Sequence, residues 1–224
     1  MIKKYAGAYV INLKENDDRR KNFIANWNNR CPKIEIFEAI DTRLSWWKKY
    51  KDQISDIGIK QIKETIKNKA RKHHADLTPG AIGCYLSHLN CWKKFLESKK
   101  GDYCLILEDD SSLPNNLLPM VKKIPKIIKE KWGFVLLGWI ATSKYEEYNE
   151  LLCKVNNFAL CHAYLISRFG AKKALSIHEK IQYQVDHFLS FNSKKCKIFG
   201  LNTDLCMQTN SCGYTNIQNF NVVL

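Results

Sequence analysis

Short apolar runs of strand character alternate along this chain with segments whose apolar residues recur at helical spacing. The strand-like runs lie at residues 7–13, 34–37, 103–107, 134–137, 159–166 and 197–200. The sharpest helix signal between them is Thr78 followed by Pro79, a capping residue with proline at the first helical position. Strands that alternate with helices indicate an α/β domain, with a mostly parallel central sheet flanked by helices. The polar stretch 142–157 is predicted to be a mobile loop at one edge of that sheet.

Composition limits the classes of protein to which this chain can belong. Its 224 residues are 45% hydrophobic and 26% charged, which excludes an intrinsically disordered chain. No Gly/Ser/Pro-rich linker interrupts it, so we predict one domain over residues 1–224. The apolar run near the N-terminus is interrupted by Asn12 and falls short of the ~20 residues that span a bilayer. Nine scattered cysteines without a Cys-x-x-Cys pair fit a reducing compartment, and we expect a cytoplasmic protein.

Three consecutive acids follow the buried strand 103–107, namely Glu108, Asp109 and Asp110. Like charges at such short range repel one another and raise their pKa values unless a cation lies between them. Hard carboxylate oxygens suit Mg²⁺ or Mn²⁺, and ligands of open α/β sheets bind beyond the carboxyl ends of strands. The alternative is a solvated acidic turn that opens the next helix.

Two further segments carry polar groups at places where ligands bind. The helix that begins at Thr78 has Gly80 and Gly83 in its first turns, which permit close approach of backbone or ligand, and Ser87-His88 one turn deeper. The first strand ends near Asn12, and an arginine at the next helix start could contact a nucleotide phosphate. Each segment also fits an ordinary packed strand or helix.

Taken together, these motifs resemble glycosyltransferase family 25, in which lipooligosaccharide and procollagen galactosyltransferases are found. The resemblance is carried by INL at 11–13, DRR at 18–20, FEAID at 37–41, TPGAIGCYLSH at 78–88, LILEDD at 105–110, CHAYLIS at 161–167 and VDHF at 185–188. Their order and spacing cover residues 8–210, nearly the whole chain.

The resemblance implies a GT-A fold, a UDP-sugar donor and usually a divalent metal, Mn²⁺ or Mg²⁺. On this basis the metal would be held by Glu108 and Asp110, with Asp204 or Gln208 as a further ligand. Asp186 would be the general base. The nucleotide-sugar site would be lined or supported by Asn12, Arg20, Asp41, Gly83, Ser87, His88, Glu108 and Asp109. Glu-Asp-Asp replaces the usual Asp-x-Asp pattern of such folds, and metal-independent action stays an alternative.

We predict metal-assisted, inverting transfer of a hexose to a hydroxyl group. The hexose would be galactose from UDP-galactose, and the acceptor a lipooligosaccharide glycan or a hydroxylysine-type group. The formal charge of +14 predicts a largely solvated basic face, with peripheral contact to the anionic inner membrane face as a second reading. Other classes stay open. They are a basic nucleic-acid-binding protein, which the lack of a binding motif disfavours, a metal-dependent phosphohydrolase and a non-catalytic sugar binder.

Overall fold

A central sheet of eight strands organises the computed structural model, which describes residues 3–27, 34–44 and 46–208. The strands are β1 (Tyr5–Asn12), β2 (Ile34–Glu38), β3 (Tyr103–Glu108), β4 (Phe134–Ala141), β5 (Glu146–Glu147), β6 (Leu152–Lys154), β7 (Phe158–Ser167) and β8 (Ile198–Leu201). They lie in the order β2-β1-β3-β7-β4-β8-β6-β5. The six strand-like runs of the sequence all form strands, which confirms the α/β class.

The sheet is mixed rather than mostly parallel. Strand β1 runs parallel to both β2 and β3, and β4 runs parallel to β8, whereas the other four neighbouring pairs are antiparallel. The prediction for residues 142–157 was wrong, because this stretch contains β5 and β6. Buried Leu152 and Cys153 attach β6 to β8, and the polar residues around them stay exposed.

Helices cover both faces of the sheet. They are α1 (Asp17–Trp27), α2 (Asp56–Asn68), α3 (Pro79–Glu97), α4 (Leu117–Ile127), α5 (Arg168–Ile177), α6 (Val185–Phe191) and α7 (Ser193–Cys196), and a 3₁₀-helical segment spans Trp46–Gln53. The predicted cap is present, because Thr78 accepts a hydrogen bond from the Ala81 N–H. Ser167 caps α5 in the same way by accepting a hydrogen bond from the Gly170 N–H. Among the described residues, no helix has the length and apolar character needed to cross a bilayer.

Alternation along the central strands divides the core into two layers. Cys104 and Ile106 of β3 pack with α3, α2, α5 and α6, while Leu105 and Leu107 pack with α1 and α4 on the opposite face. The seven described cysteines are free, and six of them are buried. Cys84 and Cys91, two turns apart on α3, are therefore not joined by a disulfide.

The topology brings three chain segments together at one edge of the sheet. Because β2, β1 and β3 are adjacent and parallel, their carboxyl ends meet there. The segments that follow them contain Leu13 to Arg19, Ala39 to Arg43 and Glu108 to Asp110. The segment after β8 also reaches this edge, where Ser111 and Gln208 form an isolated antiparallel bridge.

Candidate active site

An open cleft of about 620 Å³ lies at this edge of the sheet. It is lined by Ile11, Leu13, Asn16, Arg19, Ala39, Ile40, Asp41, Thr42, Arg43, Gly80, Cys84, Glu108, Asp109, Asp110 and Gln208. Its position beyond parallel strand ends is typical of small-molecule sites in α/β proteins.

Glu108 is held by a chain of buried hydrogen bonds. Strand alternation turns it toward α3, where Nε2 of His88 lies 3.3 Å from Oε1 of Glu108. The other ring nitrogen of His88 lies 2.8 Å from the Tyr164 hydroxyl, which accepts a hydrogen bond from Nε1 of Trp92 at 2.8 Å. The proton arrangement that satisfies every group has Tyr164 donating to His88 and His88 donating to Glu108. His88 therefore orients the carboxylate from inside the protein, since its own side chain is fully buried.

Asp109 and Asp110 share one buried cation, Arg19. The guanidinium forms an ion pair with Asp109 and lies 3.1 Å from Oδ2 of Asp110. Nδ2 of Asn12 donates to Asp109 at 2.7 Å, and Nε2 of Gln208 donates to Asp110 at 3.1 Å. Each of the two carboxylates thus has a cationic and an amide partner.

Burial dominates the electrostatics of the three acids. It raises the pKa of Asp109 to about 6, although Arg19 and Asn12 oppose the shift. Burial and the charge of Glu108 also raise the pKa of Asp110. Burial acts in the same direction on Glu108, but the hydrogen bond that His88 donates and the positive charge of Arg19 outweigh it and lower the pKa of Glu108.

The loop between β2 and the 3₁₀ segment forms another wall of the cleft. Asp41 forms a two-point ion pair with Arg43, which also contacts Glu15. The loop is fixed to α3 because the Ile40 N–H donates to Oγ of Ser87 at 2.9 Å. A Cβ on Gly83 would lie 2.1 Å from the Ile40 carbonyl oxygen, so only glycine permits this contact. Gly83 and Ser87 therefore support the cleft wall rather than line it.

The cleft is acidic although the chain is strongly basic. Four carboxylates and two guanidiniums line it, which gives a formal charge of −2 inside a chain of +14. Such a cleft repels an anion that arrives without a cation. It is therefore a poor surface for a nucleic-acid backbone.

Of the predicted site residues, Asp41, Glu108, Asp109 and Asp110 line the cleft, and Asn12, Gly83, Ser87 and His88 contact residues that line it. The prediction for Arg20 needs a correction. Arg20 lies outside the cleft lining, half-exposed, and pairs with Asp17. The residue that enters the site is its neighbour Arg19, because one helical step turns a side chain by about 100°. Of the two further metal-ligand candidates, Gln208 lies in the cleft. Asp204 is not among the residues that line the cleft, and it accepts a hydrogen bond from the Trp139 N–H.

Asp186 is also absent from the cleft lining, at the first turn of α6. Its carboxylate accepts hydrogen bonds from the N–H groups of Leu160 and His187 at 2.9 and 2.8 Å. Leu160 has a φ of 70°, a left-handed conformation that is costly for this residue type and that the Asp186 contact supports. Asp186 nonetheless lies near the cleft, since its charge adds to burial and Glu108 in raising the pKa of the Cys84 thiol.

Sequence reasoning did not identify Arg19, Arg43, Asn16 or Cys84 as cleft residues. The burial of Arg19 was predictable from the sequence, because it lies four residues before Phe23 and therefore on the same, buried face of α1. Arg43 and Asn16 lie in irregular segments, and their positions depend on long-range packing that no local pattern encodes.

The fold and the cleft define an α/β protein with an acidic ligand site beyond the carboxyl ends of parallel strands. Residues 6–159 match the family model described as glycosyltransferase family 25 (LPS biosynthesis protein). Since this match covers more than half of the chain, the chain belongs to glycosyltransferase family 25. The matched span includes the three acids and ends before Asp186.

Curated relatives agree with this assignment. A glycosyltransferase 25 family member of Aedes aegypti is 29% identical over 179 residues, which are 75% of this chain and 27% of that protein. Procollagen galactosyltransferase 1-A of Xenopus laevis is 27% identical over 191 residues, covering 81% and 30%. A putative glycosyltransferase of Haemophilus influenzae is 27% identical over 219 residues, covering 89% and 69%.

The chain thus spans less than a third of the first two relatives' length. Among solved structures, A197 from STIV aligns over 89% of this chain and 82% of its own, with 13% identity and a TM-score of 0.42.

Proposed function

We propose that the cleft binds a nucleotide-sugar together with Mn²⁺ or Mg²⁺ and transfers the hexose to an acceptor hydroxyl. The observation that carries this proposal is the formal charge of −2 at the cleft lining. A diphosphate would be repelled there on its own, whereas a diphosphate that carries a divalent cation matches the cleft's charge.

The donor groups in the acidic corner fit a hard divalent cation. Oδ1 of Asn12 is buried and has no hydrogen-bond partner among the described residues, while Nδ2 of the same side chain contacts the Asp109 carboxylate. Asp110 and Glu108 would hold the ion, and Gln208 would contribute through its contact with Asp110. When bound, the ion would supply positive charge to the departing diphosphate.

The protein's own residues divide the remaining work. Arg19 holds Asp109 and Asp110 in place and offers positive charge toward the diphosphate. His88 fixes the direction of Glu108, and the loop with Asp41 and Arg43 forms the wall for the nucleoside. The walls restrict how the donor can lie, which lowers the entropic cost of reaction.

Asp186 is proposed as the base that takes the proton of the acceptor hydroxyl, as an inverting reaction requires. Its charge is felt at Cys84 in the cleft, and its carboxylate is already oriented by two backbone N–H groups. Each carboxylate oxygen keeps a second lone pair for the acceptor.

Galactose from UDP-galactose is the proposed donor, because a relative is named a procollagen galactosyltransferase. The family description as an LPS biosynthesis protein supports a lipooligosaccharide glycan as acceptor, with hydroxylysine as the alternative.

The cleft loop leads into a surface that suits an acceptor carried by an anionic membrane. Leu44 and Trp46 are both 61% exposed, and the exposed Lys48, Lys49 and Lys51 follow them. Exposed apolar side chains beside lysines are typical of peripheral contact with anionic lipid.

A thermal-shift panel of UDP-, GDP- and CMP-sugars, each with and without Mn²⁺, tests the donor and metal proposals. We expect the melting temperature to rise with UDP-galactose plus Mn²⁺ and to change little with either alone. Asp110→Asn should remove this response, whereas the exposed Asp52→Asn should keep it. Equal shifts with every nucleotide, or a full shift in Asp110→Asn, would contradict the proposal.

The Asp186→Asn variant tests whether Asp186 acts as the base or only supports the structure. Asparagine keeps an acceptor oxygen for the Leu160 N–H but has no basicity, and its amide nitrogen cannot accept the His187 N–H. We expect a modestly lower melting temperature and an unchanged UDP affinity, with kcat lowered by at least about 100-fold. Normal turnover would exclude Asp186 as the base, and a loss of UDP affinity together with activity would assign it a positioning role.

A further inference from the structure

A second set of potential ligands, chemically different from the acidic corner, lies on the α3 side of the cleft. Cys84 and His88 are four residues apart on α3 and therefore share one helix face. Glu108 meets them from the end of β3. One sulfur, one nitrogen and one oxygen of these three side chains all lie within 4.8 Å of one another. We propose that Cys84, His88 and Glu108 bind a thiophilic divalent ion of the Zn²⁺ class.

The imidazole of His88 is supported in the way that metal-binding histidines usually are. Its Nδ1 lies 2.8 Å from the Tyr164 hydroxyl, and the two rings stack with centroids 5.7 Å apart. Trp92 fixes Tyr164 through its own hydrogen bond. This contact keeps Nε2 directed at Glu108 and Cys84, and a partner on the second ring nitrogen is a regular feature of zinc sites.

The cleft gives an ion access to the three ligands and leaves it one open position. Cys84 and Glu108 line the cleft, whereas His88 is fully buried behind them. A tetrahedral ion would therefore have three protein ligands and a fourth position toward the cleft, for water or for a phosphate or hydroxyl oxygen. Closed structural zinc sites lack such a position, and ligand-exchanging sites have it.

The ligand types determine which ion is bound. A thiolate with an imidazole selects Zn²⁺ or Co²⁺, whereas Mn²⁺ and Mg²⁺ prefer sites made of oxygen. The thiol of Cys84 gives its proton to the solvent when the sulfur coordinates, and His88 exchanges its hydrogen bond to Glu108 for a bond to the ion. The ring proton of His88 then moves from Nε2 to Nδ1. The one hydroxyl oxygen of Tyr164 can accept both this Nδ1–H and the Trp92 N–H through its two lone pairs, with its own proton turned away from the imidazole.

Sharing of Glu108 gives the site a regulatory consequence. An ion held by Cys84, His88 and Glu108 occupies a carboxylate that the proposed Mn²⁺ site needs, so Zn²⁺ would compete with metal-assisted donor binding. This consequence depends on the proposed function. The site itself does not, and it can be tested without a nucleotide.

Titration of the full chain with Co²⁺, followed by optical absorption, reports the site directly. Thiolate coordination produces a sulfur-to-cobalt charge-transfer band and tetrahedral cobalt produces intense visible bands, both of which oxygen sites lack. We expect both at one Co²⁺ per chain, and Zn²⁺ should abolish them by displacement. Asp110→Asn should retain the bands, because Asp110 belongs to the oxygen site.

Cys84→Ala is the decisive variant, and Cys91→Ala is its matched control two helical turns along α3. Cys84→Ala should lose the charge-transfer band and weaken Co²⁺ binding at least tenfold, while Cys91→Ala keeps both. An unchanged band in Cys84→Ala, the absence of the band in the parent protein, or its loss in Cys91→Ala would each overturn the assignment. Failure of the nucleotide panel with a positive cobalt result would refute the donor proposal alone.

Discussion

At the scale of single residues, the acidic corner shows how a fold tolerates three adjacent acids. The sequence alone predicts that a divalent ion neutralises the repulsion among the three carboxylates. In the structure, Arg19, His88, Asn12 and Gln208 already give each carboxylate a cationic or hydrogen-bonding partner. The partners leave the cleft with net negative charge, so they lower the repulsion without removing the attraction for a cation.

Replacement of Arg19 by glutamine tests how much the cluster depends on its cation. The side chains of Arg19 and Asp109 are 9% and 7% exposed, and loss of one partner of a buried pair costs about 3–5 kcal/mol. We expect Arg19→Gln to lower the free energy of unfolding in urea by about 3 kcal/mol.

Arg20→Gln is the matched control for this variant. Arg20 and Asp17 are 36% and 41% exposed, and solvent screens pairs of that kind, so we expect a much smaller loss of stability in this variant. Equal losses in the two variants would show that Arg19 is not the cation that the acids require.

The arginine pair also shows which features of the site can be predicted from the sequence and which cannot. The motif that ends in Arg19-Arg20 indicated a cationic helix start near the site, and the structure has one. Which of the two side chains enters the cleft depends on the rotation of α1 about its axis. That rotation is set by the packing of Phe23 and Trp27, which the prediction did not use.

At the scale of elements, α3 determines the shape of the cleft through its contact with the loop 39–43. The capping signal and the apolar stripe predicted this helix correctly from Thr78 onward. The loop was not predictable, because its backbone is held by α3 residues 40 positions or more away in sequence, as with the Ile40 bond to Ser87. The strands β5 and β6 were missed for a similar reason, since they are short and acquire strand geometry through β8.

Gly83→Ala tests the contact between α3 and the loop. The added Cβ would lie 2.1 Å from the Ile40 carbonyl oxygen and 2.8 Å from Oγ1 of Thr42, so the loop must move away. Overpacking of this kind costs about 1–3 kcal/mol. We expect a loss of this size in urea unfolding, together with at least tenfold weaker UDP binding by calorimetry.

Ser87→Ala tests the same contact by removing its hydrogen bond. It leaves the Ile40 N–H without its acceptor and should cost about 1–3 kcal/mol with a smaller effect on UDP binding. Parental stability and UDP affinity in Gly83→Ala would show that the loop adjusts freely and does not form a fixed wall.

The end of α5 provides a pH-dependent contribution to stability. His178 caps this helix and packs against Tyr85 and Phe188, and burial lowers the pKa of His178 below its ordinary 6.5. As the pH falls, the unfolded chain therefore binds the proton first. The fold loses this contribution between about pH 7 and the lower folded-state pKa, and nothing changes above pH 7.

Comparison with His178→Gln isolates that effect, because glutamine does not titrate. We expect the free energy of unfolding of the parent to fall more steeply than that of the variant between pH 7 and pH 5, measured by urea denaturation. Parallel pH profiles would show that His178 is protonated equally in the folded and unfolded states.

At the scale of the whole molecule, the formal charge of the cleft is opposite in sign to the net charge of the chain. The chain carries +14, yet the cleft lining carries −2, so the lysine excess lies outside the site. Composition alone therefore favours an anion-binding protein, whereas the three adjacent acids favour a cation site. The basic surface is suited to holding the protein near anionic partners, while the acidic cleft selects ligands that arrive with a cation.

The described core predicts one cooperative unfolding unit. Strands β3 and β4 each contribute alternate residues to both core layers, so neither layer can lose its packing while the other keeps it. Near-ultraviolet circular dichroism follows the tryptophans, of which Trp27 lies in one layer and Trp92 in the other, and far-ultraviolet dichroism follows the backbone. We expect both signals to change in one coincident urea transition under reducing conditions. Two separated midpoints would mean that part of the sheet unfolds alone, and the cleft would then be bordered by segments of unequal stability.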